Sequence, residues 1–197
     1  MKSLLVGLGI VFGIVALVFM YYTGAYNGLV TRQEGVNQSW AQVQTAYQKR
    51  NDLVPQLVGT VKGAANFEKS TLTDVVAARA KATSIQVTPE TINDPQAFKK
   101  FEAAQGQMTG ALSRLLVTIE KYPELKATGN FSELQSQLEG IENRIAVSRR
   151  DFNLAVQVYN VGLRRFPTSI VANLSGFKEK SYFEAAAGSD KAPEVKF

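Results

Sequence analysis

VNQSWAQVQTAYQKRNDLVPQLVGTVKGAANFEKSTLTDV, residues 36–75, is the stretch whose reading decides the fold. Taken in alternating steps of four and three, positions 36, 40, 43, 47, 50, 54, 57, 61, 64, 68, 71 and 75 are Val, Trp, Val, Tyr, Arg, Val, Leu, Val, Ala, Glu, Thr and Val. Apolar residues at that spacing form the seam of a helix that packs lengthwise on other helices. Two charges, Arg50 and Glu68, interrupt the seam. A charge on a packing face is costly unless paired, so each is expected to meet a partner from elsewhere in the fold. For Arg50 the first choices are Glu120 and Glu142. Pro55 lacks an amide hydrogen and should kink the helix. Gly59, Gly63 and Asn66 then accumulate, placing the first true break near Gly63, with a single helix to about Lys81 as the alternative.

Upstream, Leu4 to Tyr22 is a run without a charged residue, preceded by Lys2. As a helix its nineteen residues span roughly 28 Å, close to the hydrocarbon thickness of a bilayer. The run is longer than the ~7–15-residue apolar core of a signal peptide, and Thr23-Gly24-Ala25 is only a passable cleavage site. We therefore expect residues 1–25 to be an uncleaved, single-pass transmembrane anchor in the cell membrane. Gly9 and Gly13 form a small-xxx-small pair for close helix approach, and Tyr21, Tyr22 and Tyr26 stand where an interfacial aromatic belt belongs. Lys2 ahead of the span favours a bundle on the extracytoplasmic side under the positive-inside rule. No linker separates the span from Asn27, so anchor and first bundle helix are expected to be nearly one rod.

Downstream, Thr88-Pro89 marks a polar connection, and Asp94-Pro95 reads as the N-cap and first residue of a helix. That helix carries Phe98, Phe101, Gln105, Met108, Leu112, Leu115, Ile119 and Tyr122 on one face and ends at Pro123. Asn130 and Glu133 have capping-box spacing. A last long helix places Leu134, Leu138, Ile141, Ile145, Ser148, Phe152, Ala155, Tyr159 and Phe166 on its face and stops before Pro167. Residues 168–197 contain Phe177, Tyr182, Phe183 and Phe197, too aromatic for a disordered extension, and read as a tail packed on the bundle. The expected organisation is an anchor over 1–25, a helical bundle over 26–167 and the packed tail over 168–197.

The chemistry available is narrow. There is no Cys and no His in the 197 residues, which removes thiol nucleophiles, thiolate metal sites and the commonest general base and metal ligand. The net charge of +5 is spread along the chain without a cluster at phosphate spacing, so nucleic acid is not an expected partner. No Ser has a His partner, no Glu-x-x-His motif exists for a di-iron bundle, and nothing resembles a dedicated calcium or magnesium loop. No catalytic residue, metal or cofactor is expected. The polar residues on or beside the seams are the sharper candidates: Arg50, Glu68, Arg79, Glu120, Glu142, Arg149, Asn153 and Asn160. Glu142 and Arg149 lie seven apart, two turns along one face, and Asn153 and Asn160 repeat that interval. They can form a binding site between helices or an interhelical network that fixes register; the network is the first reading.

Tyr26-Asn27-Gly28-Leu29-Val30, Lys49-Arg50-Asn51-Asp52-Leu53-Val54-Pro55-Gln56-Leu57-Val58 and Thr60-Val61-Lys62-Gly63, followed by Glu68 and Ala78-Arg79-Ala80, resemble the LemA family. The resemblance resumes at Glu120-Lys121-Tyr122-Pro123-Glu124-Leu125-Lys126. It continues through Arg149, Phe152-Asn153, Tyr159-Asn160, Phe166-Pro167, Gly176-Phe177 and Tyr182-Phe183. The eight polar candidates coincide with positions of the family pattern. The resemblance implies an all-α fold: one N-terminal transmembrane helix followed by an antiparallel up-and-down bundle, with four helices expected. The expected role is a non-enzymatic membrane-tethered scaffold or adaptor that self-associates or docks other membrane proteins of the cell envelope. The alternatives are a ligand- or lipid-sensing module and an accessory of membrane proteolysis. Partners on this reading are the lipid bilayer, other membrane proteins and a second copy. Self-association is expected through Gly9 and Gly13 in the span, and through Val36, Trp40, Val43 and Tyr47 if nothing else covers them.

Overall fold

The computed structural model describes residues 2–63, 67–85 and 88–184, so Ala64 and Asn66 in the first break and Phe197 in the tail lie outside the described residues. Among the described residues six α-helices form: α1 Lys2–Lys62, α2 Lys69–Ser84, α3 Pro95–Ile119, α4 Pro123–Lys126, α5 Gly129–Arg164 and α6 Thr168–Leu174, with a 3₁₀ turn at Pro89–Asn93. No strand occurs among the described residues. Six helices stand where the sequence reading expects four; α4 and α6 are short.

The apolar N-terminal segment and the first bundle helix are one helix. At 61 residues α1 is about 90 Å long. Its first third is apolar on every side, and from Leu4 to Met20 the large apolar side chains are 56–75% exposed. A helix hydrophobic all round and packed on nothing is suited to lipid. Among the described residues it is the one helix long and apolar enough to cross a membrane. From Leu29 onward the same helix enters the core: Val36, Trp40, Val43, Tyr47, Arg50, Val54, Leu57 and Val61 are all buried. The seam ends where the helix does, at Lys62, so the break near Gly63 is where the glycines placed it. Glu68 is therefore no interruption of a continuous seam: it stands exposed at the N-cap of α2 and accepts from the Ser70 hydroxyl at 3.0 Å.

Paired contacts fix the direction of each long helix. Arg32, Trp40 and Arg50 of α1 meet Gly162, Phe152 and Glu142 of α5, a descending series that makes the two antiparallel. Trp40, Tyr47 and Arg50 meet Phe98, Phe101 and Gln105 of α3, an ascending series that makes those two parallel. With α2 returning between them, α1, α2, α3 and α5 alternate up and down. Asp94 caps α3, its carboxylate accepting from the amides of Gln96 at 2.8 Å and Ala97 at 3.2 Å.

Three helix ends differ from the sequence reading. Helix α3 stops at Ile119, before Tyr122, because Tyr122 already starts the Pro123–Lys126 turn. At α5 the N-cap is Thr128 rather than Asn130, so the Asn130–Glu133 capping box does not form. The same helix ends at Arg164, which carries Phe166 off the packing face and leaves it 82% exposed.

The core has two parts. The cluster nearer the apolar N-terminal segment, the proximal one, contains Leu29, Val36, Trp40, Tyr47, Phe98, Phe101, Phe152, Tyr159 and Phe183. The distal cluster contains Leu53, Val54, Leu57, Val61, Phe67, Val75, Met108, Leu112, Leu115, Phe131 and Leu138. On α1 the proximal cluster ends at Tyr47 and the distal one begins at Leu53. Arg50 lies between them.

Candidate functional site

Arg50 is 1% exposed and draws partners from two other helices. Its Nη1 donates to the Thr109 hydroxyl at 2.8 Å and to a Glu142 carboxylate oxygen at 3.1 Å. Its Nη2 donates to the Gln105 side-chain oxygen and to the Gln105 carbonyl at 3.3 Å. The guanidinium also stacks on Tyr47, 4.9 Å from the ring centroid. Of the two carboxylates expected, Glu142 is the one that meets it. Glu120 sits at the exposed C-cap of α3 and pairs with Lys126 at 2.6 Å, too far along that helix to reach the Arg50 layer. Because the Glu142 side chain is 34% exposed, solvent shares the pair, and the arginine carries most of the burial. Among the described residues Arg50 Nε has no hydrogen-bond partner.

Arg79 serves the backbone. Pro55 has no N–H to give the carbonyl of Asn51 four residues earlier, which leaves a buried acceptor open. The Arg79 Nε of α2 donates to that oxygen at 2.9 Å. A residue that read as part of an ionic network closes the gap that a proline makes in the neighbouring helix.

The second constellation lies along α5. Beyond α6 the chain runs without regular structure from Phe177 to Glu184, a strap that returns over the proximal core. An extended segment has main-chain groups with no partners of its own. Asn160 supplies them at Lys180: its Nδ2 donates to the Lys180 carbonyl at 2.9 Å, and its Oδ1 accepts from the Lys180 amide at 3.0 Å. Asn153 does the same at Phe183, at 3.0 Å and 2.9 Å. The spacing matches the two geometries: seven residues of helix rise about 10.5 Å, and three residues of extended chain cover about 10 Å. The Tyr159 hydroxyl donates to the Lys178 carbonyl at 3.1 Å, and Arg149 to the Glu184 carbonyl at 3.0 Å. Arg149 also pairs with Glu102 at 3.0 Å and lies 4.5 Å from the Phe183 ring centroid. Residues 153, 159 and 160 thus meet 183, 178 and 180, so the strap runs antiparallel to α5.

Phe183 is the strap's anchor. Its ring sits among Trp40, Phe98, Phe101 and Phe152, with centroid separations of 4.8–6.4 Å. The strap, the Trp40 neighbours on α3 and the helix α5 bury Val36, Trp40, Val43 and Tyr47 within the chain itself. Those four residues are no exposed patch, because this chain's own helices and strap bury them; of the self-association candidates, Gly9 and Gly13 alone face open space. Burial raises the hydroxyl pKa of Tyr159 to about 12 and that of Tyr47 above its ordinary value, and lowers that of the Lys180 ammonium. Lys180 lies beside Asn93 and 5.5 Å from the Tyr159 ring centroid.

Sequence reasoning missed Glu102, Gln105, Thr109 and the strap main chain. Gln105 carried a signal: it is the one polar residue on the α3 seam, and Arg50 is the charge on the α1 seam at the same level. No group of three or more His, Cys, Asp or Glu side chains able to hold a metal exists among the described residues.

A lipid-suited N-terminal helix continuous with an up-and-down bundle, locked by side chains that bind main chain, defines a membrane-associated helical protein. The chain belongs to the LemA family, whose model matches residues 39–197. It is similar to magnetosome proteins MamQ 1 and MamQ 2 of Paramagnetospirillum magneticum, 25% identical to each over 181 residues, and spans 84% of its own length and 66% of theirs. It is also similar to Protein LemA of Metamycoplasma hominis, 24% identical over 172 residues covering 87% of this chain and 74% of that protein.

Proposed function

We propose that this chain is a non-enzymatic, single-pass membrane scaffold that holds its bundle at a fixed height on the extracytoplasmic face and docks envelope proteins. The observation that carries the reading is the unbroken helix from Lys2 to Lys62. A flexible tether would suffice to keep an enzyme near a membrane; a continuous rod transmits position and orientation, which matter to an adaptor. The polar residues of the bundle support the same reading, since Arg50, Arg79, Arg149, Asn153 and Asn160 are engaged in holding the fold. The names of the relatives describe no reaction. Self-association on this reading uses the open Gly9–Gly13 face within the bilayer.

The test is photo-crosslinking in native membranes from exposed bundle positions such as Gln48 and Ser136. It is run on the native chain and on one carrying a flexible Gly-Ser insertion after Tyr26. A fixed-height scaffold gives discrete adducts that the insertion abolishes, although the bundle still folds. Identical adducts from both chains would show that the rod is irrelevant and overturn the reading.

A further inference from the structure

We propose that α6 is a second membrane contact, lying flat in the bilayer interface with Phe166, Ile170 and Leu174 facing lipid; this rests on the reading of residues 4–22 as a membrane span.

The orientation of α6 follows from two hydrogen bonds. Thr168 Oγ1 lies 3.2 Å from the Tyr21 hydroxyl, and Ser175 Oγ lies 3.0 Å from the Tyr22 hydroxyl. Thr168 and Ser175 are about 10.5 Å apart along α6, whereas Tyr21 and Tyr22 differ by only about 1.5 Å along α1. Both ends of α6 therefore meet α1 at one height, and α6 crosses it. That height is where the uncharged run ends and the tyrosine belt begins.

The exposed face fits the same position. Ile170 and Leu174 are four residues apart on one side of α6 and are 52% and 75% exposed, and Phe166, in the turn that leads into the helix, is 82% exposed. Val171 and Ala172, on the other side, are buried in the bundle. The open face thus looks away from the bundle, toward the apolar length of α1. Arg164 and Arg165 immediately precede it, exposed. Apolar side chains on one face beside basic ones is the make-up of a helix that settles about 5–10 Å into the headgroup boundary. The occupant is the bilayer because the face is continuous with the lipid-suited surface of α1.

The chain has no cysteine, so a single one at Ile170 (I170C) can carry an environment-sensitive fluorophore, in the full-length protein in nanodiscs with or without brominated lipid. L174C is the second site, F12C reports the span and S136C the distal end. The inference requires blue-shifted emission and quenching by brominated lipid at Ile170 and Leu174, weaker than at Phe12 and absent at Ser136. Quenching at Phe12 with Ile170 and Leu174 behaving like Ser136 overturns the α6 contact and leaves the span standing. No quenching at Phe12 overturns the span, and the contact with it. A blue shift at Ile170 that lipid does not quench, and that disappears in nanodiscs holding one copy, assigns the face to a second chain and overturns the inference.

Discussion

The two halves of the core are closed in different ways. In the distal half α2 lies over α1 and α3, and a helix bonds its own main chain everywhere but at its two ends. In the proximal half the cover is an extended strap, which satisfies none. The polar side chains follow that difference. Asn153, Tyr159, Asn160 and Arg149 line the proximal half and bind the strap's amides and carbonyls. In the distal half Arg79 performs such a service at the carbonyl that Pro55 leaves open. Polar residues on a helical seam here mark the places where a backbone lacks partners, more than places where side chains form a network.

The largest test of the comparison is Trp40→Ala. Trp40 is 1% exposed, contacts four aromatic rings and donates to the Thr88 carbonyl at 3.2 Å. Truncating a buried tryptophan costs about 3–5 kcal/mol. Denaturant unfolding should show that loss. Hydrogen exchange should show protection falling in the strap and the first half of α3 before it falls in α2. Equal loss in α2 would mean that the halves are one cooperative unit and that the distinction is only geometric.

Next is the layer between the halves. Arg50→Ala leaves Gln105 without its donor, but Glu142 is open enough to hydrate, so the cost belongs at about 3 kcal/mol, the lower end for breaking a buried pair. Arg50→Met keeps the apolar stem and should recover part of it. If Arg50→Ala changes stability by only a few tenths, the guanidinium is solvated and the two clusters need no polar divider.

How far the sequence showed this is uneven, for physical reasons. The seam from Val36 to Val61 and its break near Gly63 were legible because helical packing repeats every three or four residues and glycine stops it. That Arg50 needs a partner was legible because a charge on a seam is costly unpaired, but the choice between Glu120 and Glu142 was not. The strap was not. Extended main chain has no periodicity, and a helix-bound asparagine looks alike whether it meets a side chain or a peptide group. The two-turn interval of Asn153 and Asn160 was visible, but its match to three extended residues needed the strap in place. Phe166 was misplaced on the α5 face because the seam pattern continues past Arg164, where the helix stops.

The proximal clasp can be weakened one atom at a time. Asn160→Asp keeps the acceptor for the Lys180 amide and replaces the donor to the Lys180 carbonyl with a second oxygen. Asn160→Ala removes both. Each unsatisfied buried group costs about 1–3 kcal/mol. Asn153, only half-buried, should cost less than Asn160 in matched alanine variants measured by thermal unfolding. Equal losses would show that water replaces neither amide, and that burial does not rank the two clasps.

The smallest expected effect bears on the distal half, through a double-mutant cycle of Pro55 and Arg79. In the native chain Arg79 is the donor to the Asn51 carbonyl, so Arg79→Met should cost about 1 kcal/mol, as for one net hydrogen bond. Pro55→Ala restores an amide hydrogen to the helix, and Asn51 then has an intrahelical partner. In that background Arg79→Met should cost close to nothing. The coupling, the difference between the two losses measured by urea unfolding, is the quantity that isolates the service. Pro55→Ala alone should be neutral or stabilising, since it removes a helix defect without uncovering apolar surface: Pro55 is exposed. If Arg79→Met costs the same with proline or alanine at 55, the arginine is held by its own packing on α1. The Asn51 carbonyl would then need no side-chain donor, and the contrast with the proximal half would be sharper still.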